Sequence, residues 1–305
     1  MVKSYYQSTY KTREFLRPRL AKHPKLYDFT ISLDRMYCNL TGFAHVLPDF
    51  YLIGAQKCGT SALYDYLVQH PCIHPCSTKE PRFFDKYYNR GLNWYKSCFP
   101  LIFYKQIETK LFHRKFLTGE ATERYFEHPH VPQRIKQVTP KSKFIILLRN
   151  PIDRAYSHYN MRYGSKKEEL SFEDAINCEK ERTNCEFERM LKDENYYSKD
   201  YFHHSYLDRG IYVTKLKRWM NVFPKEQFLI LQSEEFFKDP NLIYNQVLKF
   251  LNLHKWQLHE YKKIGAGSYK RLEIESRLRH KLVEFFKPYN EDLSKFLGIK
   301  FDWDK

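Results

Sequence analysis

The sequence predicts an α/β fold: a parallel sheet flanked by helices on both faces, in a single domain. Three observations predict it. Phe50-Tyr51-Leu52-Ile53 is a short apolar run of strand character; it breaks at a loop bounded by Gly54 and Gly59 and resumes at helical spacing with Ala62, Leu63, Tyr66 and Leu67. Phe144 to Leu148 is continuously apolar, as a strand covered on both faces requires, and Pro151 suits the first turn of the helix that follows. Strand and helix then keep alternating, with a helix over 211–222 closed by Phe223-Pro224, a strand over 227–231 and a helix opened by Asp239-Pro240 that runs through Leu251.

At 305 residues the chain has room for one large domain or two small ones. No Gly/Ser/Pro-rich linker and no repeat divides it, so the reading is one domain over 48–305 behind a basic, aromatic arm over 1–47. Lys+Arg number 52 against 36 Asp+Glu, and the net charge of +16 calls for an anionic partner. Charge alone does not choose among nucleic acid, an acidic polysaccharide, a phosphorylated cofactor and an anionic membrane. The seven cysteines are odd in number and lack a C-x-x-C pair, and Cys72-x₃-Cys76 has no companion pair at zinc spacing. With no apolar leader and no apolar run of membrane-spanning length, the expectation is a cytoplasmic protein with reduced thiols, no bound metal and no transmembrane segment.

Taken in order, the strand at 50–53 leads into Gly54-Ala55-Gln56-Lys57-Cys58-Gly59-Thr60-Ser61-Ala62, and the helix runs to about His70, where Pro71 stops it. Strand, glycine-bounded loop and helix make a phosphate cradle. Backbone N–H groups from Cys58 to Ala62 and the positive helix end converge on an anion, Thr60 and Ser61 add hydroxyls, and Lys57 adds charge. The spacing is almost that of a nucleotide-triphosphate loop, except that Thr60 follows the second glycine and the lysine precedes it by two residues. The alternative is an ordinary strand-to-helix turn with an exposed lysine.

Glu80 precedes Pro81, which makes its backbone extended and puts it near the carboxyl mouth of the sheet, where a carboxylate can take a proton from an acceptor. Its competing assignment is a surface salt bridge with Lys79 or Arg82. Arg149 stands at the carboxyl end of the 144–148 strand and Ser157 two turns into the next helix, so that both can clamp one phosphate, the arginine bidentately. Residues 164–205 are polar and charged and read as a helix with an irregular insertion. Gly265-Ala266-Gly267-Ser268-Tyr269-Lys270 is a second glycine-bearing loop, before a helix from about Glu273 to Phe286.

These motifs resemble the sulfotransferases that use 3′-phosphoadenosine 5′-phosphosulfate (PAPS). The combination of Gly-Ala-Gln-Lys-Cys-Gly-Thr-Ser-Ala-Leu-Tyr, Lys-Glu-Pro-Arg-Phe-Phe-Asp and Gly-Leu-Asn-Trp-Tyr with Phe-Pro is similar to the heparan-sulfate type of carbohydrate sulfotransferase and its bacterial relatives, from about residue 48 to 303. The resemblance implies a P-loop-like fold. It implies Glu80 as catalytic base, Lys57 in the phosphosulfate loop, Arg149 and Ser157 at the 3′-phosphate, and Ser268, Tyr269 and Lys270 in a loop over that phosphate. The family's Glu-Lys-[Thr/Ser] segment is matched at Glu120, but its lysine is replaced by Ala121, with Arg124 a candidate to compensate, and a histidine of the 3-O-transferring branch is replaced by Arg82. The reading is transfer of a sulfuryl group from PAPS, in line, to a hydroxyl or amine of a carbohydrate or other anionic acceptor, leaving PAP; nucleic acid is not expected. Two other readings stay open. A P-loop small-molecule kinase predicts Mg²⁺-dependent ATP turnover, and a non-catalytic module for nucleic acid or polyanions predicts steeply salt-dependent binding without a cofactor pocket.

Overall fold

A computed structural model describes residues 36, 38, 40–78, 80–262 and 274–303. Among them β1 (Phe50–Gly54), β2 (Ile73–Pro75), β3 (Leu117–Ala121), β4 (Lys143–Leu148) and β5 (Phe228–Gln232) form one parallel sheet in the order β2-β3-β1-β4-β5. Every residue of β1 is buried, and so is β4 from Phe144 onward, which means that both faces at the centre of the sheet are covered. Continuous apolar runs without alternation are the sequence signature of this environment.

The strands β2 and β3 lie on one side of β1, and β4 and β5 on the other. The order therefore reverses beside β1, and in open parallel sheets the crevice beyond the carboxyl ends at such a reversal is where ligands settle. The loop after β1 and the turn after β4 both open there.

Helices α1 (Thr60–Leu67), α2 (Val131–Val138), α3 (Pro151–Gly164), α4 (Tyr212–Met220), α5 (Pro240–Phe250) and α6 (Ser276–Leu297) flank the sheet, with shorter helical turns between them. The ring of Phe144 in β4 stacks on Tyr51 at 5.8 Å and on Phe228 at 5.1 Å, and Trp219 of α4 meets it edge-on at 5.1 Å. Such aromatic pairs add about 0.5–1.5 kcal/mol each beyond the area they bury. The chain end packs beside the β4–α3 turn, where the Asn150 amide donates to the Trp303 carbonyl at 3.2 Å.

The structure differs from the sequence reading in several places. α1 ends at Leu67, short of His70. α6 runs to Leu297, well past Phe286, because the buried stripe of Leu282, Phe286, Asn290, Leu293 and Leu297 keeps its helical spacing through Pro288. That burial offsets the roughly 3 kcal/mol an internal proline costs. β2 and β3 escaped the apolar-run criterion because one is three residues long and ends in Pro75 while the other carries Thr118, Gly119 and Glu120. Residues 42–47, assigned to the arm, pack on the sheet domain: Val46 N–H donates to the Pro100 carbonyl at 2.9 Å, and His45 bridges to Leu101. Residues 164–205 hold short helices started by Ser171 and Ser198, whose hydroxyls accept from the Asp174 and Tyr201 amides.

Candidate active site

The loop after β1 owes its shape to two left-handed backbones, Lys57 with φ 69° and Gly59 with φ 95°. A β-carbon at Gly59 would meet the Phe236 and Phe237 rings at 3.1 Å, so backbone angle and packing both require glycine there. One at Gly54 would stand 2.7 Å from Phe126 Cβ, which explains the first glycine of the loop. Alternation of left-handed and right-handed residues turns successive N–H groups to one side, the geometry of an anion nest.

Side chains divide the loop in two. Cys58, Thr60 and Ala62 are buried in the packing, whereas Lys57, Gly59 and Ser61 are half-buried. Cys58 and Ala62 can therefore reach a ligand only through their backbone. Burial pushes the Cys58 thiol up to about 11, even with Arg154 and Arg149 nearby, so it is a neutral packing group at physiological pH. Its carbonyl accepts from Ser233 Oγ at 2.8 Å.

Arg149 leaves the end of β4 and donates from Nη1 to the Lys57 carbonyl at 3.3 Å. Two segments separated by ninety-two positions thus meet at one point. Asn150 caps α3 by accepting the Ile152 amide at 2.9 Å and anchors its own amide on Glu234 Oε1 at 2.8 Å, which fixes the turn that carries Arg149. Ser157 is half-buried on α3, about 9 Å along the axis from Pro151 at 1.5 Å per residue.

Glu80 is half-buried in the segment that leaves the carboxyl end of β2. That segment is pinned at both ends. Cys76 N–H donates to the Tyr64 hydroxyl at 3.1 Å, and downstream Phe83 stacks on Tyr95 at 4.6 Å while the Phe84 amide donates to the Tyr125 hydroxyl at 3.3 Å. Arg82 pairs with Asp85 Oδ2 at 2.6 Å, and Lys79, the other salt-bridge candidate for Glu80, lies outside the described residues. Glu120, at the inner end of β3, is fully buried and accepts from the hydroxyls of Tyr95, Thr122 and Tyr125. Burial pushes it up to about 7, against the lowering effect of those hydroxyls.

Several contributors had no signal in the sequence reading. Arg209 is completely buried and donates from Nη1 to Gln56 Oε1 at 2.6 Å, with its Nε 3.5 Å from Glu127 Oε1; the Gln56 amide in turn donates to Glu123 at 3.0 Å. This chain braces the loop from behind. Tyr197, from the polar insertion, gathers three cations: its ring lies 5.0 Å from the Arg82 guanidinium and 5.6 Å from the Lys86 ammonium, and its hydroxyl accepts from Arg124. Arg124, named as a stand-in beside Ala121, therefore faces the insertion. An Arg-Gly dipeptide and one tyrosine among many carry no periodicity that would single them out. Ser268, Tyr269 and Lys270 lie outside the described residues, and among those described no three His, Cys, Asp or Glu side chains gather as a metal site.

A family profile described as "Sulfotransferase domain" matches residues 47–289. Human heparan sulfate glucosamine 3-O-sulfotransferase 3B1 is 29% identical over 280 residues, covering 85% of this chain and 65% of its own. Human bifunctional heparan sulfate N-deacetylase/N-sulfotransferase 3 is 32% identical over 216 residues, 68% of this chain and 22% of its own. The chain thus spans slightly under two thirds of the first relative and about a fifth of the second. The crystal structure of a sulfotransferase from Alicyclobacillus acidocaldarius superposes with a TM-score of 0.64 at 28% identity, covering 85% of this chain and all of that one.

Proposed function

Because the chain belongs to the sulfotransferase domain family, we propose that it transfers a sulfuryl group from PAPS to a hydroxyl or amine of a carbohydrate, through one domain over 48–305. The observation that carries the reading is the contact of Arg149 with the Lys57 carbonyl, which joins the two anion-binding motifs at the reversal of the sheet. A left-handed loop with two glycines, an ammonium and half-buried Ser61 suits a phosphosulfate, and a strand-end guanidinium followed by Ser157 suits a second phosphate. When bound, PAPS supplies a sulfuryl group already attached to a phosphate leaving group.

Lys57 and the N–H groups of residues 58–62 balance the negative charge that grows on the leaving phosphate oxygen. Glu80 accepts the proton of the acceptor hydroxyl or amine as its oxygen or nitrogen forms the new bond to sulfur and the old sulfur–oxygen bond breaks. Sulfated acceptor and PAP leave. Arg149 and Ser157 hold the donor's 3′-phosphate and orient it. The three cations gathered on Tyr197 of the insertion, together with the relatives named for glucosamine of heparan sulfate, support a glucosamine-containing polyanion as acceptor. Among the described residues no helix is long and apolar enough to cross a membrane. None of the seven cysteines is in a disulfide and five are buried, which accords with a reducing, cytosolic setting.

The test is ³⁵S transfer from labelled PAPS onto heparan-type oligosaccharides by the wild type and by Glu80→Gln. Full activity in that variant removes Glu80 as base; no transfer to any carbohydrate, lipid or small-molecule acceptor removes the activity.

A further inference from the structure

The opposite, amino edge of the sheet carries a pocket of about 760 Å³ beneath the first residues of β1, β3 and β4. Its size is that of a site for a drug-sized ligand, roughly 300–1,000 Å³. Around it stand Lys96, Lys105, Lys115, Lys141 and Lys143, against one carboxylate, Asp49. Asp49 is already engaged: its Oδ2 accepts the Thr118 amide at 2.8 Å. The ammonium groups of Lys115 and Lys143 donate to the Asn252 and Phe250 carbonyls, where they offset the negative end of α5.

Three lysines remain. The Lys105 ammonium lies 5.9 Å over the Phe116 ring, with its charge also felt by Asp49, and the ammonium groups of Lys96 and Lys141 have no hydrogen-bond or ion-pair partner among the described residues. A concave site lined by one sign of charge between low-dielectric walls concentrates counter-ions. Because the lysines come from four separate segments, they surround the cavity rather than converge on a point, and the lysine ammonium is a mobile point charge rather than a planar fork. A single small anion would satisfy one or two of them; a ligand with several charged groups satisfies the set.

We propose that this pocket is a second anion site, distinct from the donor site, which binds a compact ligand carrying several sulfate or phosphate esters. It stands independently of the sulfotransferase reading.

The experiment is calorimetric titration of the full chain, with PAP present in excess, by a heparin-derived hexasaccharide and by inositol hexakisphosphate. The site variant is K96Q/K105Q/K141Q, and the control K225Q/K287Q/K295Q removes three exposed lysines elsewhere. The expected result is that wild type and control bind at least one probe, that the site variant binds it at least tenfold more weakly, and that its affinity for PAP stays within twofold. Loss with the hexasaccharide alone identifies sulfated sugar as the source, and loss with the inositol phosphate alone identifies phosphate. The proposal is overturned if the wild type binds neither probe, if the site variant binds like wild type, or if the control loses as much. Should the triple variant fail to fold, Lys141→Glu at an exposed position is expected to weaken binding at least threefold, and unchanged affinity overturns the proposal equally.

Discussion

At the carboxyl edge of the sheet, the groups proposed to bind anions sit in two contiguous stretches, residues 54–62 and 149–157, and much of that work would fall to backbone N–H groups held in place by left-handed Lys57 and Gly59. At the amino edge, the groups are lysine side chains delivered by four segments between Lys96 and Lys143. Each edge also holds a carboxylate that burial pushes up: Glu120 among three hydroxyls above, Asp49 under the Thr118 amide below. The contrast teaches that a backbone-built site needs a specific local order of residues, and a side-chain-built one needs only that distant residues arrive together. The first constrains sequence and geometry tightly. The second leaves almost no local trace.

This contrast can be broken by substitution, with the largest effect expected for Glu80→Gln. Loss of the proposed base should lower kcat by about 10²–10⁴-fold while PAP affinity, read by calorimetry, stays within about twofold. Lys57→Ala follows with a loss of about 10²–10³ in kcat. If K96Q/K105Q/K141Q at the other edge lowered kcat on a short acceptor as much, the two edges would not be separate sites.

Next in size are the groups that support the loop. Arg209→Met leaves the Glu127 carboxylate and Gln56 Oε1 without their arginine in the interior, and breaking a buried pair of this kind costs about 3–5 kcal/mol, readable by urea denaturation. An undiminished denaturation midpoint would mean that the loop does not need its brace. Glu120 provides a pH test. Its carboxyl titrates near 7 in the fold against 4.5 in the unfolded chain, so the native state holds the extra proton between those values. Its contribution to stability is therefore fully present below pH 4.5 and is lost as pH rises through 7. Relative to Glu120→Gln, the wild type should lose about 3 kcal/mol between pH 4.5 and 7.5, measured by denaturation at both pH values. A parallel pH dependence in the two proteins would remove the assignment.

Arg149→Ala gives a smaller effect. Removing a hydrogen bond from a charged group costs about 1.5–3 kcal/mol, which predicts PAP binding weakened by roughly 10–100-fold with 5′-AMP binding little changed. Equal losses for both ligands would argue against a 3′-phosphate clamp. The smallest effect is at the amino edge, where K96Q/K105Q/K141Q should leave unfolding free energy within about 0.5 kcal/mol of wild type, as surface changes do.

How legible the fold was depended on what each strand buries. β1, β4 and β5 bury apolar side chains, and their runs were readable. β3 buries Thr118 and Glu120, whose desolvation is offset by the His74 carbonyl and the Tyr95 hydroxyl, both distant in sequence, so no apolar run announces it as a strand. α6 outran its reading for the same reason: the partners that cover Asn290, Leu293 and Leu297 lie on other elements. At the candidate site the loop motif was readable because its glycines answer local demands of φ and packing. Glu80 became a candidate base only through resemblance to a family, since an isolated Glu before a proline has many uses.

The sequence by itself determined the glycine-bounded loop, the strand-end arginine and the alternation of strand and helix, because each depends on residues a few positions apart and on the backbone angles they permit. Tertiary structure alone decided that Arg149 rests on the Lys57 carbonyl, that Arg209 supports Gln56, that Tyr197 collects Arg82, Lys86 and Arg124, and that five lysines share one pocket. Those relations join positions tens of residues or more apart. Their energies exist only after the order β2-β3-β1-β4-β5 has brought the segments together and excluded the water between them.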